Sequence, residues 1–278
     1  MTGTFDGHFS LIWLTRKSDR INTSILIYMT TTTTHPVRRI DLPRIFAVFF
    51  NPRASFSEMA SEARATWLTP MLVLSITAIL AVVAAGYLKT RAAMMGEITL
   101  PPDWQWWTPE MQNNYMQAQQ ATQGPVFMYV MPLVGSLTGL WLGWLVFAGL
   151  LHLGSTLFGG RGSMQNALNL VAWGSLPFAL RDILRVSYMF LSWHVITSPG
   201  LSGFTSSSFF SQILARTDIF LIWSTLLLVI GFSVVDGISR SKSFANVLMV
   251  TLLILLAQAG LAVLVSGLGG SAVQRPFF

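Results

Sequence analysis

The stretch WLTPMLVLSITAILAVVAAGYL, residues 67–88, decides the fold of this chain. It contains no charged residue and consists mostly of Leu, Ile, Val and Ala, with Trp67 at one end and Tyr87 near the other. A hydrocarbon layer of about 30 Å is crossed by roughly 20 apolar residues in a helix, because a helix pairs its own backbone groups where lipid cannot. Aromatic residues commonly flank such helices at the interface. The stretch therefore predicts a transmembrane helix.

Four further stretches have the same character, so the chain is predicted to be an all-α polytopic membrane protein with a bundle of five transmembrane helices. The predicted spans cover about residues 67–88, 126–151, 164–184, 219–235 and 244–265. The third span differs from the others, because Pro177 breaks the helical hydrogen-bond ladder and is expected to kink it. The segment that follows this span is expected to lie along the membrane interface.

The composition agrees with a membrane protein. Of the 278 residues, 53% are apolar and 10% are charged, whereas soluble domains carry about 25% charged residues. The net charge of +6 comes from too few charges to indicate a nucleic-acid-binding face. The chain has no Cys and four His, so disulfides are excluded and neither a metal site nor a cofactor is expected.

The two ends of the chain are predicted to be tails, a flexible one over residues 1–40 and a short one over residues 266–278. Met29, which opens a run of threonines, is an alternative start of translation. Counting basic residues on the two sides of five spans favours a cytoplasmic N-terminus.

Residues 41–66 are predicted to form two short amphipathic helices in the headgroup layer before the first span. Asp41 can cap the first helix with Pro43 in its first turn. Ser55 followed by Glu58 resembles the capping box of a second helix. A soluble helix pair packed on the loops is an equally good interpretation.

The loop between the first two spans contains Trp104, Trp106 and Trp107 close together. Three clustered tryptophans can grip a ligand, but anchoring at the membrane surface is their more common use. The cluster is therefore predicted to be an interfacial anchor.

Two features inside the spans are candidate sites. Gly135, Gly139 and Gly143 lie at intervals of four in the second span, and a stripe without side chains lets another helix approach closely. Packing within the chain is the preferred interpretation, and packing between two chains is the alternative. A possible intramembrane polar cluster lies toward the end of the third span and consists of Arg181, Asp182 and Arg185. Charges there are commonly functional, although long side chains near a span end can also reach the headgroups as anchors.

One catalytic string occurs, Gly200-Leu201-Ser202-Gly203, which matches the GxSG string of rhomboid intramembrane proteases. Those enzymes pair the serine with a histidine on a later span, and this chain has no His after residue 194. Protease activity is therefore not expected, and no other motif proposes an enzyme.

Three segments taken together resemble the Yip1 domain family. They are NPRASF at 51–56; LHLGSTLFGGRGS at 151–163 running into WGSLP at 173–177; and IWS at 222–224 with Gly231 and GISRSK at 237–242. The resemblance covers roughly residues 41–265. Its most specific part is a motif loop and kink, formed by Gly159, Gly160, Gly162, Ser163 and Pro177.

The resemblance implies five transmembrane helices, a cytoplasmic N-terminus, a short C-terminus on the other side and no catalytic residue. Eukaryotic members are associated with Rab GTPases and vesicle traffic, and bacterial members are mostly without an assigned activity. The short pattern is similar to that of bacterial members, for which the inner membrane is the expected location.

The predicted function is therefore a non-enzymatic role in the lipid bilayer, organising or recruiting other membrane proteins. The alternative is a small permease or channel subunit that uses Arg181, Asp182, Asn169 and the break at Pro177.

Overall fold

The computed structural model describes residues 41–62, 64–96, 100–101, 103–205 and 208–268, with side chains up to residue 264. These residues form ten α-helices and no strand. The predicted tail over residues 1–40, with Met29, lies outside the described residues, as does the chain after Leu268. The helices are α1 (Pro43–Phe50), α2 (Pro52–Ser61), α3 (Leu68–Met94), α4 (Pro109–Thr122), α5 (Met131–Leu157), α6 (Met164–Gly174), α7 (Leu176–Ser192), α8 (Ser208–Leu214), α9 (Ile219–Val235) and α10 (Arg240–Leu268).

Three helical runs in the described part of the chain are long and apolar enough to cross a membrane: Leu68–Met94, Val126–Leu157 and Arg240–Leu264. Helices α8 and α9 meet the same test together, but they are bent by 59° at the break between them. The structure therefore has three candidate spans, or four if the bent pair is one span.

The third predicted span is not a single kinked helix. Helix α6 ends at Gly174 and α7 begins at Leu176, after a break at Ser175. Pro177 lies in the first turn of α7, where its missing N–H leaves no hydrogen bond broken. The prediction of a kink at Pro177 is thus corrected, because the proline starts a new helix. That helix continues to Ser192 along α3 and takes up the segment expected at the interface.

The core lies around α6, which contacts α2, α3, α5 and α9. Leu170, Val171 and Trp173 of α6 are each at most 1% exposed, and Phe56 of α2 and Phe232 of α9 are completely buried beside them. Close packing of several large side chains at one place helps to hold short helices such as α2 and α6 in position.

Helices α1 and α2 lie against α6 and α9. The backbone N–H of Arg44 donates to Asp41 Oδ1 (3.3 Å), as predicted for a capping aspartate. The capping box at Ser55 was wrong, because α2 begins three residues earlier at Pro52 and the Ser55 hydroxyl donates back to the Asn51 carbonyl (3.1 Å).

The outer face of α1 is apolar. Leu42, Phe46 and Phe50 are 57%, 68% and 86% exposed and follow one another at intervals of four residues. Residues four apart lie on one face of a helix. We call these three residues the apolar stripe of α1.

In the first loop, the rings of Trp104, Trp107 and Tyr115 contact one another, with centroids 5.5–5.7 Å apart. Gln112 Nε2 donates to the carbonyls of Trp104 (3.0 Å) and Trp107 (3.4 Å). Trp106 stands outside this group and is 85% exposed. Anchoring of the tryptophan cluster at the membrane surface stays a prediction.

Candidate functional site

A buried polar junction joins the end of α5, the loop that follows it and the turn between α9 and α10. Asp236 follows the last residue of α9 and is 5% exposed. Its Oδ2 accepts a hydrogen bond from the hydroxyl of Ser155, which is completely buried on α5. Its backbone carbonyl accepts a second bond from the N–H of Arg161 (3.2 Å). The motif loop is thereby fastened to the α9–α10 turn.

The glycines of the motif loop make this junction possible. A Cβ on Gly162 would lie 2.5 Å from Asp236 Cγ, and one on Gly160 would lie 2.9 Å from the Ser155 carbonyl oxygen. Both distances are well inside van der Waals contact. Gly159 has a φ of +88°, a left-handed conformation that glycine adopts without a steric penalty. The loop closes at Ser163, whose hydroxyl caps α6 by accepting the N–H of Asn166 (3.2 Å).

Asn246 of α10 extends the junction along α5. It is completely buried, and its Nδ2 donates to the Leu151 carbonyl (3.0 Å). A Cβ on Gly154 would lie 2.9 Å from Asn246 Cγ, so this glycine leaves the room that the amide fills. We call Ser155, Gly160, Gly162, Asp236 and Asn246, with Gly154, the polar junction.

The charge state of Asp236 depends on its burial. Burial raises the pKa of Asp236 above the ordinary aspartate value, against weaker opposing effects of the Ser155 hydrogen bond and the charge of His152. Its second oxygen, Oδ1, is buried without a hydrogen-bond partner among the described residues. The folded protein therefore favours the protonated carboxyl more than an unfolded chain does.

Asn169 of α6 holds the start of α3. Its Oδ1 accepts the N–H groups of Thr66 (2.9 Å) and Trp67 (3.1 Å), and its Nδ2 donates to the Arg64 carbonyl (3.1 Å). Backbone N–H groups at the start of a helix have no partner within that helix. Here the Asn169 side chain, from another helix, accepts the N–H groups that directly precede α3. Trp173 Nε1 adds a bond to Thr66 Oγ1 (3.1 Å).

A second buried charge lies on the inner face of α1. Arg44 is 9% exposed, and its guanidinium makes a double hydrogen bond to Glu62, an ion pair with Asp41 (3.2 Å) and a longer one with Glu58 (3.7 Å). It also lies 5.9 Å from the centroid of the Trp173 ring. Burial alone lowers the pKa of Arg44, but the hydrogen bond and charge of Glu62 with the charges of Asp41 and Glu58 outweigh it and raise that pKa.

The predicted polar cluster of α7 is brought together and gains a fourth member. Arg181 Nε lies 3.3 Å from Asp182 Oδ1, and Arg181 and Arg185 lie 3.7 and 3.6 Å from Asp218 Oδ2. Asp218 also caps α9, since its Oδ1 accepts the N–H of Leu221 (2.9 Å). Two arginines and two aspartates thus face one another and fix the start of α9 to α7.

Close packing of the glycine stripe within the chain is not found at its C-terminal end. A Cβ on Gly143 would meet nothing within 4 Å, and Gly139 is exposed. Helix α5 contacts its neighbours through other side chains. Trp141 Nε1 donates to the Ser75 hydroxyl (3.2 Å), and Trp144 Nε1 donates to the Leu168 carbonyl (3.0 Å). Packing against a second chain, with Gly135 in the same stripe, stays a prediction.

The GxSG string has an ordinary structural role. The Ser202 hydroxyl donates to the Pro199 carbonyl (2.8 Å) within its own loop. A serine nucleophile needs a base that accepts its proton, and a backbone carbonyl cannot serve as one.

Sequence reasoning missed Asp236, Asn246 and Asp218 as site residues, and the two aspartates lie directly outside the two ends of the fourth predicted span. A carboxylate directly after an apolar run and an amide one turn inside the next span are the available signals. Neither signal says which residue each side chain will meet.

The family model of the Yip1 domain matches residues 46–262. This range covers most of the chain, including the motif loop, Pro177 and the whole polar junction. Comparison with curated proteins and with solved structures gives no match.

Proposed function

Since the chain belongs to the Yip1 domain family, we propose that it works without catalysis, gathering or positioning other membrane proteins. The family and the apolar helices make it an integral, multi-pass membrane protein in contact with the lipid bilayer. We propose that the first partner to be recruited is a helix of another membrane protein.

The observation that carries the proposal is the bare face of α5. In the apolar window of Val126–Leu157, 11% of the residues are buried, against 33% for Leu68–Met94 and 28% for Arg240–Leu264. Exposed Gly139 and Gly143 lie on this run, so the backbone of a second helix could approach α5 closely.

The polar groups of the described structure support a role without chemistry. The Ser155 hydroxyl is bonded to Asp236, the Ser202 hydroxyl to a carbonyl, and the Asn169 amide to the start of α3. The Ser155 and Asn169 bonds each hold one helix to another segment of the chain, which is the usual role of polar side chains between helices in membranes, and the Ser202 bond closes its own loop.

Filling the glycine stripe tests the proposal. Affinity capture from mild detergent should return partner proteins with the unchanged chain. The double variant Gly139→Leu/Gly143→Leu should lose those partners, because leucine side chains keep another backbone away. Val134→Leu is the matched control, since Val134 is 56% exposed on the same helix but lies away from the glycine stripe, and should keep them. Repeated recovery of the unchanged chain alone, or of the same partners with the double leucine variant, would overturn the proposal.

We also propose that the chain crosses the membrane five times with its N-terminus in the cytoplasm. The end of α9 meets the end of α5 through Asp236 and Ser155, whereas the start of α9 meets α7 through Asp218. A 17-residue helix is about 26 Å long, so α6 and α7 carry the chain over roughly the thickness of the hydrocarbon layer. The α6–α7 pair is thus the proposed additional crossing.

The absence of cysteine makes this topology directly measurable with single introduced cysteines. Ser57, Asn113, Ser208 and Ser241 are exposed positions. With five crossings, cysteines at Ser57 and Ser241 should react from the cytoplasmic side, and those at Asn113 and Ser208 from the other side. Equal access of a membrane-impermeant thiol reagent to Ser208→Cys and Ser241→Cys would contradict it.

A second candidate function, a small permease or channel subunit, rests on the charges between α7 and α9. Ion pairs inside a membrane protein commonly mark a substrate or proton path. If Arg181→Ala and Asp182→Ala both abolish a vesicle uptake that the unchanged chain supports, this candidate replaces the first one.

A further inference from the structure

Two loops are fastened together at the end of the bundle that contains the polar junction. The Arg161 N–H donates to the Asp236 carbonyl, and Lys242 Nζ donates to the Phe158 carbonyl (3.1 Å). These bonds bring the motif loop and the α9–α10 turn side by side. Arg161, Arg240 and Lys242 are all exposed there, and we call these three residues the basic surface.

The charge of the basic surface is not neutralised by the part of the chain that the structure describes. Its three side chains take part in none of the ion pairs found among the described residues. Asp236, whose backbone carbonyl accepts the Arg161 N–H, has a buried carboxyl group that is bonded to Ser155. A compact positive patch therefore faces the surroundings.

Two helices add to this positive potential. Helix α6 begins after Ser163 and α10 after Ser239, and each serine hydroxyl accepts an N–H of the helix that it precedes. Neither helix has an acidic residue in its first turn. The N-terminal end of a helix carries about half a positive charge, so both dipoles point their positive ends toward the basic surface.

Apolar side chains border the same surface. Leu153 and Leu157 of α5 are 57% and 78% exposed, and Phe244 of α10 is 49% exposed. Leu157 directly precedes Phe158, whose carbonyl binds Lys242, and Phe244 follows Lys242 by two residues. Positive charges next to exposed hydrocarbon match a molecule with an anionic head and apolar chains.

We propose that the basic surface binds the phosphate headgroup of an anionic phospholipid, with its acyl chains along Leu153, Leu157 and Phe244. A cluster of basic residues beside membrane helices attracts anionic lipids, and arginine suits the oxygens of a phosphate group. The site is independent of the glycine stripe on α5, so the lipid site and the protein partner can fail separately.

Binding of soluble short-chain lipids to the purified full chain in nonionic detergent tests the site. Phosphatidylglycerol should bind more tightly than phosphatidylcholine of the same chain length. Arg161→Gln/Arg240→Gln should weaken phosphatidylglycerol binding about 30-fold, which corresponds to about fivefold for each charge. Arg53→Gln/Arg64→Gln removes the same net charge from two other exposed positions and should leave the affinity nearly unchanged.

Equal affinity for the two lipids would overturn the proposal. The basic residues would then serve only to orient the chain in the membrane. An equal loss of affinity in the two double variants would also overturn it, since binding would then follow total charge. Arg161 and Arg240 make no side-chain hydrogen bond within the described residues. The double variant Arg161→Gln/Arg240→Gln should therefore elute like the unchanged chain in size-exclusion chromatography.

Discussion

Replacing Gly162 by alanine adds one methyl group at the tightest point of the polar junction. The new Cβ would lie 2.5 Å from Asp236 Cγ, so the carboxyl must move away from Ser155 or the motif loop must lift off the α9–α10 turn. Gly162 is not among the glycines with a positive φ, and the added methyl group is therefore the whole perturbation.

The expected cost follows from these contacts. Forcing an extra methyl group into a packed site destabilises a protein by about 1–3 kcal/mol. Weakening the Ser155–Asp236 hydrogen bond adds about 1 kcal/mol. A total of about 2–4 kcal/mol should lower the melting temperature by roughly 5–15 °C, taking the size scaling of soluble domains.

Thermal unfolding in detergent, followed by the fluorescence of the ten tryptophans, measures this effect. Gly143→Ala is the matched control, because its Cβ meets nothing within 4 Å and alanine is the better helix former by about 1 kcal/mol. It should melt at or slightly above the temperature of the unchanged chain. Adding Asp236→Ala to Gly162→Ala removes the atoms that the methyl group strikes, so Gly162→Ala should cost less in that background.

Equal melting of Gly162→Ala and the unchanged chain would refute the junction as described. So would a fall of the same size in Gly143→Ala, since the loss would then reflect any glycine replacement.

Three further outcomes follow from buried polar groups. The pKa of Asp236 is raised, so its contribution to stability is present at low pH and is lost as the pH rises through the folded-state pKa. Asp236→Asn should therefore reduce the fall in melting temperature that sets in as the pH rises above the unfolded-state pKa of about 4, and an unchanged fall would contradict the raised pKa. Asn169→Ala removes three hydrogen bonds at the start of α3 and should cost about 2–4 kcal/mol in chemical unfolding, whereas Asn166→Ala, the control on the same helix, should cost under about 1 kcal/mol. Arg44→Met leaves the Glu62 carboxylate unpaired and should lower the free energy of unfolding by about 2–4 kcal/mol. The double variant Arg44→Met/Glu62→Gln should recover part of that loss, and no recovery would show that the two side chains do not interact.

The long apolar helices could be predicted from sequence alone, because length and the absence of charge decide them. Residues 68–88, 126–151 and 244–265 all lie in helical runs of the structure. The bounds of the third predicted span were wrong, because the sequence does not show that the helix breaks at Ser175, between the buried residues Trp173 and Leu176.

The functional residues were harder to predict, because burial of a polar group is a property of contacts far apart in sequence. Ser155 and Asp236 are 81 residues apart, and Asn246 and Leu151 are 95 apart. The glycines of the motif loop were singled out by the resemblance to the Yip1 domain family, but the physical reason for them is the close approach of the Ser155 and Asp236 side chains. Gly86 shows the converse, since no sequence pattern marked it and yet a Cβ there would meet the ring of Tyr129 at 2.6 Å.

The inward direction of Arg44 has a consequence for how α1 can behave. Many amphipathic helices act as reversible detectors of membrane curvature, folding onto loosely packed lipid and leaving when it tightens. Helix α1 has an apolar stripe suited to such a role. If α1 alone moved away from the bundle, however, Arg44 would lose its contacts with both Glu62 and Trp173. Helix α1 is therefore fixed to the rest of the bundle and holds Phe46 and Phe50 in one constant orientation.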